Sequence, residues 1–360
     1  MGPTRNKSID HLPNAAVTDT FDSNMYGCVW VTSHSGLVAC LCGETGASKW
    51  TTTLPDRVEG TPALAFDLTV LVVGCYDHRI YALDSANGRT LWHVKTNDVV
   101  KSTPLFVPLT ELVMVGSHDH SLYAIKFKTG TIHWQSRVRG AVLSTPCVCT
   151  GRMLAVATLT SHVSALHLTN GAIKWTTTLF KPVFGALMFR EHTNRLIVPC
   201  LDAHLHVINV DNGDLLSSVC LDSPLFSGPI QLAGNVLLQT CQSGRLTALR
   251  IQVDDDCAEM QQLWTHQLGS DAQLVCAASA IALHNQATDE SQYVVVVVST
   301  KGHVWLGRLD AQFALVTGDD QWTNCFELPG EAFSTPVIDA KDPRLHIGCR
   351  NDCIYVYKLV

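Results

Sequence analysis

Residues 99–134 read VVKSTPLFVPLTELVMVGSHDHSLYAIKFKTGTIHW, four apolar segments set apart by turn chemistry. Ser102 to Phe106, Glu111 to Gly116, Ser121 to Phe127 and Ile132 to Trp134 are rich in Val, Leu, Tyr, Phe and Ile, and Ser121-Leu122-Tyr123-Ala124-Ile125 nearly alternates, as a strand does. Lys128-Thr129-Gly130 reads as a tight hairpin turn whose glycine takes a positive φ. Four short strands in about 40 residues cannot cover both faces of their own sheet, so neighbours must do it.

The flanking sequence supplies those neighbours. Thr-Pro recurs at Thr61-Pro62, Thr103-Pro104, Thr145-Pro146 and Thr335-Pro336. The turn glycine recurs at Gly46, Gly88, Gly130, Gly171 and Gly213, at intervals of 42, 42, 41 and 42. Trp50, Trp92, Trp134 and Trp175 keep the same period, each four residues after its glycine. A period of roughly 40–45 residues with four strands per unit is the signature of a β-propeller. The 333 residues from Cys28 to the end, divided by 42, give close to eight units. The expected fold is all-β, an eight-bladed propeller of four-stranded antiparallel blades, with seven blades as the alternative. Residues 1–12 are expected to form a flexible arm and 13–360 a single propeller domain.

Composition narrows the function classes. The chain has 360 residues, 46% hydrophobic and only 16% charged, which suits strands covered on both faces by adjacent blades. A net charge of −7 and no basic run leave no footprint for nucleic acid or an anionic membrane. The longest apolar run, Tyr293 to Val298, is too short to span a bilayer, and Met1 to Tyr26 lacks the apolar stretch of a signal peptide. The 14 cysteines are scattered through strand-like segments, as small buried hydrophobes are, so a reducing, cytoplasmic location is expected.

In chain order, Ala15 to Thr18 is a candidate inner strand of blade 1, and blades 2, 3 and 4 span about 57–95, 99–137 and 141–179. Blade 5 has Gly185-Ala186 for Thr-Pro and Ser217 in place of the tryptophan. Blade 6 is lengthened by Gln252 to Gln262, and blade 7 by a polar excursion from His284 to Gln292. The last unit, from Glu331, stops where its fourth strand would start, and the N-terminal arm is the expected donor of that strand.

The unit resembles the PQQ-type propeller repeat, at Val73-Gly74-Cys75-Tyr76-Asp77-His78-Arg79-Ile80-Tyr81-Ala82-Leu83-Asp84 and at Gly116-Ser117-His118-Asp119. That repeat is named after quinoprotein dehydrogenases, which build eight-bladed rings, and also occurs in proteins that bind no quinone. A closer similarity is to the C-terminal propeller of the beta-alanine-activating enzymes, a family of acyl-CoA-synthetase-like proteins. It is carried by Val99-Val100-Lys101-Ser102, Glu327-Leu328-Pro329-Gly330-Glu331, Phe333-Ser334-Thr335-Pro336 and Ile347-Gly348-Cys349-Arg350. In that family the propeller follows an adenylation domain and a carrier domain, whose motifs are not found in this sequence. The resemblance therefore implies a non-catalytic interaction module whose partner is a protein or peptide, an acyl-activating or carrier domain among the candidates. A quinoprotein-like oxidoreductase and a truncated piece of the activating enzyme are the alternatives.

Quinone chemistry in the family resembled goes with an adjacent Cys-Cys pair; here the nearest are Cys40-Leu41-Cys42 and Cys147-Val148-Cys149. No cofactor and no catalytic residue are expected. His34, His78, His118, His120, His162 and His204 lie at the middle turns, but on successive blades, and are read as polar rim residues rather than metal ligands. Asp254-Asp255-Asp256, Asp319-Asp320 and Asp211-Asn212-Gly213-Asp214 are read as solvated loops or turns. One set of equivalent positions, just before the inner strands, carries Glu59, Lys101, Leu143, Phe184, Phe226, Val275 and Phe333. If these face the mouth of the central channel they form a mixed aromatic and charged funnel, the kind of concave site that takes ligands or peptides.

Overall fold

A computed structural model describes residues 15–17, 27–150, 152–232, 235–254, 257–269, 273–276, 278–285, 290–310, 312–314, 322–339, 344–351 and 353–358. The arm at residues 1–12 and the aspartates Asp255, Asp256, Asp319 and Asp320 lie outside this set. The described strands form eight sheets, seven of four strands and one of three, each an up-and-down antiparallel meander in chain order. This is the eight-bladed propeller. Outside blade 7 the first strand of each blade is short, as at Ala63–Leu64 and Leu105–Phe106, and the first strands of blades 2 and 3, 4 and 5, and 7 and 8 touch one another, placing them around the ring's axis.

Two sequence markers of equal period turn out to be two halves of one joint. The Trp50 indole donates to the Ser85 carbonyl (2.8 Å), Trp92 to Phe127 (2.7 Å), Trp134 to Leu168 (2.8 Å) and Trp175 to Val210 (2.7 Å), each acceptor in the next blade. The indole face lies against the next blade's turn glycine. A Cβ on Gly88 would stand 2.4 Å from Trp50 Cε3, and one on Gly171 would stand 2.5 Å from Trp134 Cε3. Both glycines also sit at positive φ, +74° and +70°, so two demands exclude any other residue there. Nearer the axis a second joint repeats: Val100 and Val142 fill the space left by Gly74 and Gly116 of the preceding blade.

Where the tryptophan is missing, other groups close the seam. Ser217 pairs with Val207 at the place the indole occupies elsewhere, and its hydroxyl is buried. The lengthened segment of blade 6 is no loop: Arg245–Asp254 and Cys257–Gln267 continue as one ladder. Its Met260 packs with Ile251, Leu221 and Leu225, and the outer strands of blades 5 and 6 lie against each other. Blade 7's polar excursion is likewise an extended hairpin, Ser279–Asn285 against Glu290–Val298. At its far side Phe326 stacks on Tyr357 of blade 8 at 3.9 Å.

Ring closure joins blade 8 to blade 1. Val337 and Ile354 share a buried cluster with Val29, Val31, Ala39 and Leu41, while Arg344 donates to the Gly43 carbonyl (3.2 Å) and faces Glu44. Ala15–Val17 pairs with Val31–Ser33 as the inner strand of blade 1. Among the described residues blade 8 has three strands, Val337–Ile338, Arg344–Cys349 and Cys353–Lys358.

The twelve cysteines whose side chains are described are free. Four of them, Cys75, Cys200, Cys241 and Cys349, occupy one repeated position at the end of the second strand, where other blades carry Ser33, Ser117, Thr158 and Ser299. Its donor reaches the carbonyl 19 residues earlier: Cys75 to Asp56 (3.2 Å), Ser117 to Asp98 (3.3 Å), Thr158 to Arg139 (2.8 Å) and Cys200 to Lys181 (3.2 Å). The position calls for a small donor, which thiol and hydroxyl both supply. Among the described residues no helix is long and apolar enough to cross a membrane.

Candidate functional site at the mouth of the ring

Each of the seven predicted mouth residues lies between two residues committed to packing. Val58, Val100, Val142, Val183, Leu225, Leu274 and Ala332 precede them and are wholly buried. The following residue is small, and where it is serine it is locked: the Ser102 hydroxyl donates to the Gly116 carbonyl and accepts from the Gly116 N–H, both at 2.8 Å. Strand alternation then turns the residue between them away from the seam. Glu59 and Phe333 are exposed, and Lys101, Leu143, Phe184, Phe226 and Val275 are half-buried.

The first residue of each middle turn forms a second tier beside them, through a backbone bond that recurs around the ring. Tyr76 N–H donates to Arg57 O (2.9 Å), His118 to Val99 (3.0 Å), Leu159 to Ala141 (3.0 Å), Leu201 to Pro182 (3.1 Å) and Arg350 to Glu331 (2.7 Å). Sequence reading missed this tier. The signal was the spacing of each middle turn from its mouth residue, legible once the two are known to be bonded.

The two tiers differ across the ring. In blades 2 and 3, Glu59 and Lys101 pair at 4.0 Å, the Tyr76 hydroxyl donates to Glu59, and Arg57 and Lys101 both lie over the Tyr76 ring, at 4.8 and 4.9 Å. In blade 8, Phe333 is tied to its own blade, under the Arg350 guanidinium at 4.0 Å, and Arg350 pairs with Glu331 at 3.0 Å. His34 and His118 stand among these charges. Burial and then Arg57 push the His34 pKa down, and burial and then Lys101 push down that of His118. Both are therefore neutral at physiological pH, offering lone pairs rather than charge. On the opposite side, Phe184 and Phe226 meet at 5.7 Å, with Leu143, Leu159, Leu201 and Val275 at equivalent places.

The turn histidines separate into three turn positions rather than a ring. His34 and His118 belong to the second tier, and His78 and His120 sit at the left-handed corner, at φ +66° and +68°. His162 and His204 open the third strand. One group does gather metal-ligand chemistry: Cys200, Asp202 and His206 of blade 5, whose donor atoms lie within 4.8 Å of one another. The spacing C-x-D-x-x-x-H carries that signal in sequence. Asp211-Asn212-Gly213-Asp214 is a hairpin turn, as expected, with Gly213 at φ +81°.

Comparison with known proteins agrees with this architecture. The fold is similar to that of BamB from Moraxella catarrhalis, at TM-score 0.71 and 16% identity over 100% of this chain and 98% of that one. It is also similar to the computationally designed Ika8 protein, at TM-score 0.72 and 14% identity over 99% and 100% of the two chains. In sequence, the chain is 22% identical over 214 residues to a beta-alanine-activating enzyme of Drosophila melanogaster, a match covering 56% of this chain and 19% of that protein. The chain thus spans about a fifth of the length of the relative it matches. The family model described as the β-propeller of beta-alanine-activating enzyme matches residues 6–359, and the chain belongs to that propeller family.

Proposed function

We propose that this propeller is a non-catalytic docking module whose two-tiered mouth receives a protein or peptide, with an acyl-activating or carrier domain as the partner the family relationship favours. The observation that supports this most is the divided mouth. Glu59, Lys101, Tyr76 and Arg350 give one half charged and cation–aromatic groups, and Phe184 and Phe226 give the other half an apolar patch. A segment with a charged end and an apolar side would engage both, its register set by the charges and its affinity by the aromatics. The free thiols suit a reducing, cytoplasmic setting.

The test is a titration of this protein with the acyl-activating and carrier portion of a beta-alanine-activating enzyme from the same source, followed by calorimetry. Binding is expected. It should weaken at least about tenfold in Phe184→Ser/Phe226→Ser, the loss typical of a hot spot. Lys101→Glu should chiefly slow association and alter its salt dependence. No binding, or equal binding by all three proteins, overturns the reading.

A further inference from the structure

The middle turn exists in eight versions, and three of its positions face one another: the small donor ending the second strand, the residue two later, and the residue six later on the third strand. In blade 2 these are Cys75, Asp77 and Tyr81; in blade 3, Ser117, Asp119 and Tyr123; in blade 4, Thr158, Thr160 and Ser164. Blades 6, 7 and 8 carry Cys241, Ser243 and Thr247, then Ser299, Lys301 and Trp305, then Cys349, Asn351 and Tyr355. In blades 2 and 3 the tyrosine hydroxyl donates to the aspartate at 2.5 Å, and in blade 8 Asn351 donates to Tyr355 at 2.7 Å. Only blade 5 places a thiol, a carboxylate and an imidazole there together, in Cys200, Asp202 and His206.

We propose that Cys200, Asp202 and His206 bind a divalent transition-metal ion of the zinc class. His206 is 2% exposed, with Nε2 3.0 Å from the Asp202 carboxylate. Its Nδ1 lies 2.7 Å from Ser218 Oγ, the outer-shell partner that fixes the ring of a metal-bound histidine. The three donors lie within 4.8 Å of one another, close to the roughly 3–4 Å separations that tetrahedral zinc imposes through its ~2.0–2.3 Å bonds. His204 stacks on His206 at 5.6 Å and is partly exposed, a second imidazole beside the trio.

Binding is a proton exchange. Burial holds the Cys200 thiol protonated, with a pKa of about 11, so the metal must displace that proton to solvent. The sulfur gives up its bond to the Lys181 carbonyl for a metal–sulfur bond. The imidazole, whose Nε2–H donates to the Asp202 carboxylate in the metal-free chain, moves its proton to Nδ1, donates it to the Ser218 hydroxyl, and turns the freed Nε2 lone pair to the ion. A plain Asp–His hydrogen bond, standing in for the Asp–Tyr bond of blades 2 and 3, would need no thiol. That difference makes the two readings separable.

The experiment is titration of the purified full chain, stripped with chelator, with Co²⁺ under reducing conditions, reading the near-ultraviolet thiolate-to-cobalt band and its displacement by Zn²⁺. One equivalent of Co²⁺ is expected to give the band. Cys200→Ser and His206→Tyr should abolish it, and Ser218→Ala should weaken binding about 10–100-fold. His206→Tyr installs the residue that blades 2 and 3 carry, so its far-ultraviolet spectrum should match the parent's. Cys75→Ser is the control and should bind as the parent does. Absence of a thiolate band in the parent, or its persistence in both Cys200→Ser and His206→Tyr, overturns the proposal.

Discussion

The seams between blades and the mouth of the ring are built from the same repeat, yet they behave oppositely around the circle. At the seams of blades 1 to 4 an indole, its carbonyl acceptor and a turn glycine are the same each time. At the mouth the equivalent residues run from glutamate and lysine through leucine to phenylalanine, although the backbone bonds holding them do not change. A seam position has two chemical demands on it, a flat donor on one blade and a missing Cβ on the next. A mouth position has none beyond being turned outward. Variation there costs the fold little, which is compatible with the docking role proposed above.

The first prediction strikes the seam where it is most regular. Trp134→Ala should cost about 3–5 kcal/mol in denaturant unfolding, the usual range for an aromatic lost from a core. Gly171→Ala should also destabilise. Part of its cost should vanish in the double variant, because removing the indole makes room for the new Cβ; strict additivity would mean the two residues do not form one joint.

Next is the irregular seam. Met260→Ala should cost about 2 kcal/mol or more if the long hairpin of blade 6 replaces the tryptophan missing from blade 5. A loss comparable with an exposed substitution would show that the hairpin only decorates the edge.

The closing seam should be sensitive to acid. His346 lies on the second strand of blade 8, and burial lowers its pKa from 6.5 to about 4. A histidine depressed in the folded state favours the neutral form, so the unfolded chain takes up the proton first. The stabilisation is complete above pH 6.5 and is lost as pH falls from there toward 4, with a slope of at most about 1.4 kcal/mol per pH unit. His346→Gln should flatten that part of the pH–stability curve, measured by urea midpoints. An unchanged curve would assign the acid sensitivity elsewhere.

The smallest effect belongs to Ser217. Its hydroxyl is buried at the abandoned tryptophan position, and Ser217→Ala should change stability by less than about 1 kcal/mol, toward stabilisation.

These contrasts also explain what could be read from sequence. Blades 1 to 4 were legible because the joint keeps its residue types and spacing, and Gly46 to Gly213 mark it without a gap. Ala15–Val17 and the degenerate Ser217 were equally visible as departures from a template. The hairpins of blades 6 and 7 looked like loops, because polar residues interrupt strands of 9 to 11 residues, longer than those of the other blades. Of the candidate site, the seven equivalent positions before the inner strands followed from counting along the repeat. Their partners Tyr76, His118 and Arg350 did not, since that tier is created by a backbone bond across 19 residues. The trio at Cys200 was written in the spacing C-x-D-x-x-x-H, and the middle hairpin of blade 5 brings His206 over Asp202.

The separation of seam from mouth is tested most directly by removing the same chemistry from each. Trp134 and Phe333 are both large aromatics at repeated positions, but Trp134 is 8% exposed and Phe333 44%. Urea unfolding of Trp134→Ala and Phe333→Ala should give a loss of about 3–5 kcal/mol for the first and about 1 kcal/mol or less for the second, the worth of its contact with Arg350. Equal losses would contradict the account, since the mouth would then be holding the ring together as the seams do.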